Sequence, residues 1–251
     1  AAAVLMAEAL QGQGRLIYAG AGSSALMAVA DGLELGGTFG VAADRVLLLM
    51  AGGLPVDARM PGDTEDDAEE GARAAAVLRA GDVVIVVTAS GRTPYALAVA
   101  KVARAGGAKV IGIANAAGAK LFDHADVAIC LPTPPEVIAG STRMGAGTAQ
   151  KVALNMMSTL MGIRLGQVHD GMMVGLVADN DKLRARASAM VARIAGVEEG
   201  LAARALDLAQ GAVKPAVLIA LGQAPEAALG LLSETNGNLR AAVARGTKSG
   251  N

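Results

Sequence analysis

Aromatic side chains are nearly absent. They make up 2% of the 251 residues, with two Tyr, two Phe and no Trp, which argues against stacking platforms for bases or sugar rings. A single cysteine, Cys130, excludes a disulfide framework. It lies in the apolar run 127–131, where a thiol is expected to pack as a small hydrophobe. The two histidines, His124 and His169, stand at no metal-ligand spacing, so no metal site is expected. A formal charge of −1 gives no electrostatic footprint for nucleic acid. No apolar run approaches the ~18 residues of a membrane span. The opening AAAVLMAEAL lacks a cationic region and reads as helix rather than signal peptide, so a reducing cytoplasm is the expected compartment.

What is present is small and aliphatic. Hydrophobic residues reach 53%, alanine is abundant and there are 33 glycines, a composition suited to close helix–sheet packing. The length fits one large α/β domain, or such a domain with a small appendage. The most informative stretch is DVVIVVTASGRTPY, Asp82–Tyr95. Its β-branched run 83–87 predicts a strand buried on both faces, as in a parallel sheet. Ser90, Gly91, Arg92 and Thr93 form a turn, and Pro94 suits the first turn of the helix that follows. A strand, a hydroxyl-rich turn and a helix start together offer free N–H groups and a positive dipole end to an anion.

The same grammar recurs along the chain. RLIYA at 15–19 predicts a strand, and Gly20-Ala-Gly22-Ser23-Ser24 leads into a helix over 25–34. Gly-x-Gly here suggests a dinucleotide fingerprint, but no acid ends the next strand, 46–50, so nicotinamide binding is not expected. Residues 54–71 read as irregular and acidic, with a helix over 66–80 to follow. Further strands are expected at 109–114 and 127–131, with helices over 96–105 and near Lys120. After Pro132, Pro134 and Pro135, the stretch EVIAGSTR (136–143) brings Ser141, Thr142 and Arg143 to the start of a long Met- and Ala-rich helix, 146–165. Strands alternating with helices imply a doubly wound parallel sheet, an α/β/α sandwich of flavodoxin-like type. Its strand C-termini share one edge, where ligands collect. Short helical patterns after residue 180 (182–194, 197–210, 215–221, 225–232 and 239–244) predict a small helical subdomain. The expected division is 1–185 and 186–251.

GRLIYAGAGSS at 14–24, TASGRTPY at 88–95, GSTRMGAGTAQK at 140–151 and LNMMST at 154–159 together resemble the sugar isomerase (SIS) domain family. Within it, the chain is similar to the N-acetylmuramic acid 6-phosphate etherases, and the last helices resemble their ubiquitin-associated-like subdomain. The resemblance implies a cofactor-independent lyase that eliminates D-lactate from a sugar phosphate and hydrates the product to N-acetylglucosamine 6-phosphate. It implies Glu34 as proton donor and Glu65 as base. It implies phosphate or substrate contacts from Ser23, Ser24, Ser90, Gly91, Arg92, Thr93, Ser141, Thr142 and Arg143. A homodimer with a shared site, a small sugar-phosphate ligand and no nucleic acid or membrane partner complete the expectation.

The chain departs from that pattern at Ala25-Leu26, at Gly62-Asp63-Thr64, at Gly145 (where lysine is usual) and at Met172-Met173-Val174-Gly175. Two alternatives therefore stay open. One is a non-catalytic regulator that binds sugar phosphates. The other is an aldose–ketose isomerase, for which neither histidine sits on a candidate loop.

Overall fold

A computed structural model describes residues 1–60, 62–178 and 180–246. The expected alternation folds as five parallel strands: β1 (Leu16–Gly20), β2 (Val46–Met50), β3 (Val83–Thr88), β4 (Lys109–Ala114) and β5 (Val127–Cys130). Their spatial order is β2-β1-β3-β4-β5. The direction of winding reverses between β1 and β3, and in sheets of this order that switch point is where ligands bind. β3 is buried along all six residues, as its apolar run predicts. β5 is an edge strand with alternating burial, and Cys130 faces out. The expectation of a packed thiol is thus corrected: an edge strand here has only one covered face.

Helices cover both faces. They are α1 (Ala2–Gln11), α2 (Gly22–Phe39), α3 (Ala68–Ala75), α4 (Pro94–Ala105) and α5 (Gly145–Arg164). Ile17, Ala19, Val84, Val86 and Val110 share one core with Tyr95, Ala96, Val99 and Ala103 of α4. Tyr18 points to the other face, where its hydroxyl donates to Asp31 of α2 at 2.7 Å. At the opposite edge from the ligand loops, Arg15 pairs with the buried Asp82 at 2.7 Å. Burial pushes the Asp82 carboxyl up, but hydrogen bonds from the Arg15 side chain and from the backbone N–H groups of Arg15 and Arg79 outweigh it and hold it below the usual range.

α3 is shorter than the periodicity suggests. Asp67 caps it by accepting from the Glu70 N–H at 2.8 Å, and the preceding acids form a 3₁₀ turn, Thr64–Asp66. The structure adds an antiparallel hairpin that the periodicity does not show: β6 (Val168–His169) pairs with β7 (Met172–Met173). Two-residue strands carry too little alternation to be seen in sequence.

Contacts divide the chain into two compact units, 1–34 with 42–161 and 35–41 with 162–251. In the second unit, α6 (Asp181–Ala195), α7 (Glu199–Leu208), α8 (Val213–Ala220), α9 (Pro225–Glu234) and α10 (Leu239–Gly246) surround a small core including Val191, Leu206, Val217 and Leu239. Residues 247–251 of the expected subdomain lie outside the described residues. Among the described residues, no single helix is long and apolar enough to cross a membrane.

Candidate functional site

The loop after β3 is built to stay open. Gly91 has φ +68, and a Cβ there would lie 2.9 Å from the Ala119 Cα, so both conformation and space require glycine. Its carbonyl accepts from the Leu121 N–H at 3.1 Å. Ser90 Oγ accepts from the Arg92 N–H at 3.2 Å, which closes a hydroxyl turn. The Thr88 and Thr93 hydroxyls meet at 2.8 Å and tie the two ends of the loop together. Thr93 precedes α4 without a side-chain capping bond, and Pro94 occupies the first turn. The start of α4 therefore presents N–H groups that no side chain of its own cap satisfies. Ser90 and Arg92 are exposed beside it.

The loop after β1 lies next to it, on the other side of the switch point. Ser23 and Ser24 fall in the first turn of α2. Ser24 is buried, and its Oγ accepts from Gln150 Nε2 at 3.0 Å. The same amide donates to Asn115 Oδ1 at 2.8 Å, and Asn115 Nδ2 donates to the Leu131 carbonyl at 3.1 Å. Gln150 of α5 thus joins the loops that follow β1, β4 and β5. Asn115 was not legible as a site residue; its only signal is its place directly after β4, at the strand C-termini.

The third hydroxyl turn is arranged differently. Glu136 bends back onto the start of α5, where its Oε1 accepts from the Ala146 N–H at 3.1 Å. The backbone N–H groups of Gly145 and then Ala146 hold its carboxyl below the ordinary value. An internal carboxylate therefore occupies the helix start to which Ser141, Thr142 and Arg143 lead. Ser141 Oγ accepts from the Arg143 N–H at 3.4 Å. A groove of about 380 Å³ remains beside them, with Glu136, Val137, Ile138, Ser141, Arg143 and Thr148 among its lining residues.

The two candidate acids occupy distinct places. Glu65 is exposed in the Thr64–Asp66 turn, which packs against α4, the helix that starts at the Ser90–Thr93 loop. Its neighbourhood is fixed from below: Glu70 accepts the Gly52 N–H at 3.1 Å, and Gly71 lies so close to Tyr95 that a Cβ would meet the Tyr95 carbonyl at 2.6 Å. Burial, and then Glu70, push the Tyr95 phenol to about 12. Glu34 is also exposed, but it lies well along α2, away from that helix's start. At about 1.5 Å per residue, the stretch from Ser24 to Glu34 spans about 15 Å of helix axis. The fold thus brings Ser23, Ser24, Ser90–Thr93 and the Glu65 turn to one sheet edge, and it does not bring Glu34 there. Among the described residues, no group of His, Cys, Asp and Glu is placed to hold a metal ion.

Comparison with known proteins bears on the family and the fold. The SIS domain model matches residues 60–160. The N-acetylmuramic acid 6-phosphate etherase of Symbiobacterium thermophilum is 47% identical over 218 residues, covering 86% of this chain and 73% of that protein. The etherase of Deinococcus radiodurans is 40% identical over 244 residues, covering 96% and 80%. Among solved structures, a Bacteroides fragilis protein involved in capsule formation superposes with a TM-score of 0.53 at 20% identity, over 68% of this chain and 80% of that one. A protein of Escherichia coli CFT073 gives 0.50 at 16% identity over 67% and 80%. These two likenesses speak for the fold alone. The identity to the etherases is about twice as high and runs through most of both chains, so the chain belongs to the N-acetylmuramic acid 6-phosphate etherase family, built on a SIS domain.

Proposed function

We propose that this protein is a carbon–oxygen lyase acting on N-acetylmuramic acid 6-phosphate, releasing D-lactate and leaving N-acetylglucosamine 6-phosphate. The observation that carries the reading is the open, uncapped start of α4 behind Ser90–Thr93, at the switch point of the sheet, in a chain 47% identical to an etherase over 218 residues. The 6-phosphate sits at that loop, held by Ser90, Thr93 and the backbone of Gly91 and Arg92, with Ser23 and Ser24 facing it across the switch point. Ser141, Thr142 and Arg143 contact the sugar end of the substrate, because Glu136 already fills the start of α5.

The reaction needs a base and an acid. In the open-chain form the C1 aldehyde acidifies the proton on C2, and Glu65 removes it. The C3–oxygen bond breaks and Glu34 donates a proton to the departing lactate oxygen. Water then adds across the resulting C2–C3 double bond. Two carboxylates suffice for these proton transfers, without metal or cofactor.

In this reading the two acids reach one substrate from two copies. With carbon–carbon bonds of about 1.5 Å, O3 lies within about 8 Å of the phosphorus, whereas Glu34 is about 15 Å along α2 from Ser24. We therefore assign Glu34 to the site of a second copy, in a homodimer with a shared active site. Leu26, Ala30 and Leu33 are exposed along the face of α2 that ends beside Glu34, with Leu33 67% exposed. On α5, Val152, Met156 and Leu160 form a second exposed stripe at helical spacing. Such stripes suit an isologous interface. A cytoplasmic setting follows from the substrate, a phosphorylated sugar. The functional division of the chain is taken as a phosphosugar-binding domain over 1–185 and a helical subdomain over 186–251; compactness alone divides it earlier, after residue 161 and within α5.

A regulator that binds sugar phosphate without turnover is the second reading, favoured by Gly145, where the family resemblance expects a cationic side chain. A lactate-release assay on N-acetylmuramic acid 6-phosphate separates them. Lactate formation supports the lyase. Sugar-phosphate binding without lactate would leave the regulator.

A further inference from the structure

Asp31 is 3% exposed, and its carboxylate has three neutral donors around it. Tyr18 Oη of β1 donates to Oδ2 at 2.7 Å. Asn155 Nδ2 and Ser158 Oγ of α5 donate to Oδ1 at 2.7 and 2.8 Å. Burial, and then the Asp31 charge, hold the Tyr18 phenol well above its ordinary value, so it remains a donor at neutral pH. The network joins a strand and two helices at one carboxylate.

The segment it grips needs such a hold. Glu34 lies between Gly32 and the pair Gly36-Gly37 on α2. Each glycine in a helix interior is about 0.5–1 kcal/mol less favourable than alanine, so this end of α2 is weak by its own sequence. Gly32 also lets the helix approach the sheet: a Cβ there would lie 2.8 Å from Leu48 Cδ2 and 3.0 Å from the Tyr18 ring. That close approach is what allows the Tyr18 hydroxyl to reach Asp31, one turn before Glu34. Residues three apart on a helix are neighbours, so fixing Asp31 fixes the turn that carries Glu34.

We propose that Asp31 is the positioning residue for Glu34, tying the acid-bearing turn of α2 to β1 and α5 through Tyr18, Asn155 and Ser158. The inference rests on the reading of Glu34 as the proton donor. A catalytic group displaced by about 1 Å loses on the order of 10²-fold in rate.

The test is steady-state lactate release by the intact protein, with folded protein quantified by circular dichroism. Asp31→Ala is expected to lower kcat about 10²-fold while leaving KM within about twofold. Asp31→Asn is expected within about fivefold of wild type, since its amide oxygen can still accept from Asn155 and Ser158 and its NH₂ can donate to the Tyr18 oxygen. In the Glu34→Gln background, Asp31→Ala is expected to change the residual rate by less than about twofold, because two residues acting as one unit are not additive. If Asp31→Ala does not fold, Ser158→Ala carries the same comparison with a loss of several-fold. Wild-type kcat for Asp31→Ala, or a multiplicative loss in the double variant, overturns the positioning role while leaving Glu34 in place. Full activity of Glu34→Gln removes Glu34 from the reaction, and the Asp31 proposal falls with it.

Discussion

The two ends of α2 were expected to serve one site, and they are built in opposite ways. At the start, Ser24 is buried and held by Gln150, in a network that reaches Asn115 and the Leu131 carbonyl. Further along the helix, Glu34 is exposed, flanked by glycines and bordered by the exposed Leu33. The first end is preformed and faces the sheet's ligand edge. The second is open to solvent at Glu34, with the buried Asp31 on the preceding turn hydrogen-bonded to β1 and α5. On the proposed roles, the binding end and the proton donor stand about 15 Å apart along one helix, which is why the donor is assigned to a second chain.

The largest effect should come from the open end. Glu34→Gln is expected to lower kcat by about 10³-fold or more with KM little changed, as for loss of a general acid in the proposed mechanism. A parallel rise in KM would mean that Glu34 belongs with the binding end. At the other end, Ser90→Ala is expected to weaken sugar-phosphate affinity by about 1–3 kcal/mol, the worth of a hydrogen bond to a charged group. Calorimetry on the bound product would show this, and unchanged affinity would empty the loop of its role. Arg143→Ala should be smaller, about twofold in KM, because an exposed cation beside an already occupied helix start is screened.

The smallest effect concerns Glu136 and pH. Its folded pKa is depressed by the N–H groups of α5. It therefore contributes stability above its ordinary value of 4.5, and that contribution is lost as pH falls through the lowered folded value. The stability gap between wild type and Glu136→Gln, from urea melts, should shrink as pH drops below that range. A gap that is constant with pH would mean the carboxylate is not acting as the cap of α5.

The sheet was readable because parallel strands announce themselves. β2 and β4 span the expected 46–50 and 109–114, and β3 extends one residue beyond its apolar run. The hydroxyl turns after β1 and β3 were readable for the same reason: they sit where each run stops. What was not legible depends on contacts across the fold. Nothing local says that Glu136 would turn back onto Ala146, or that Gln150 would spend its amide on Ser24 and Asn115. Nothing in the local sequence marks Asp31; its approach to Tyr18 and Ser158 does. Cys130 read as core because its run is apolar, whereas the edge position of β5 leaves it exposed.

The claim that Glu34 and Glu65 meet only across two chains is tested most directly by mixing two inactive variants. Glu34→Gln and Glu65→Gln proteins are combined, allowed to exchange subunits, and assayed for lactate release from N-acetylmuramic acid 6-phosphate. In a two-fold dimer, random exchange makes half the dimers mixed, and each mixed dimer holds one site with both acids intact. The rate should return to roughly a quarter of wild type. No recovery, with subunit exchange verified, would mean that both acids serve the same chain's site, and the shared-site account would be contradicted.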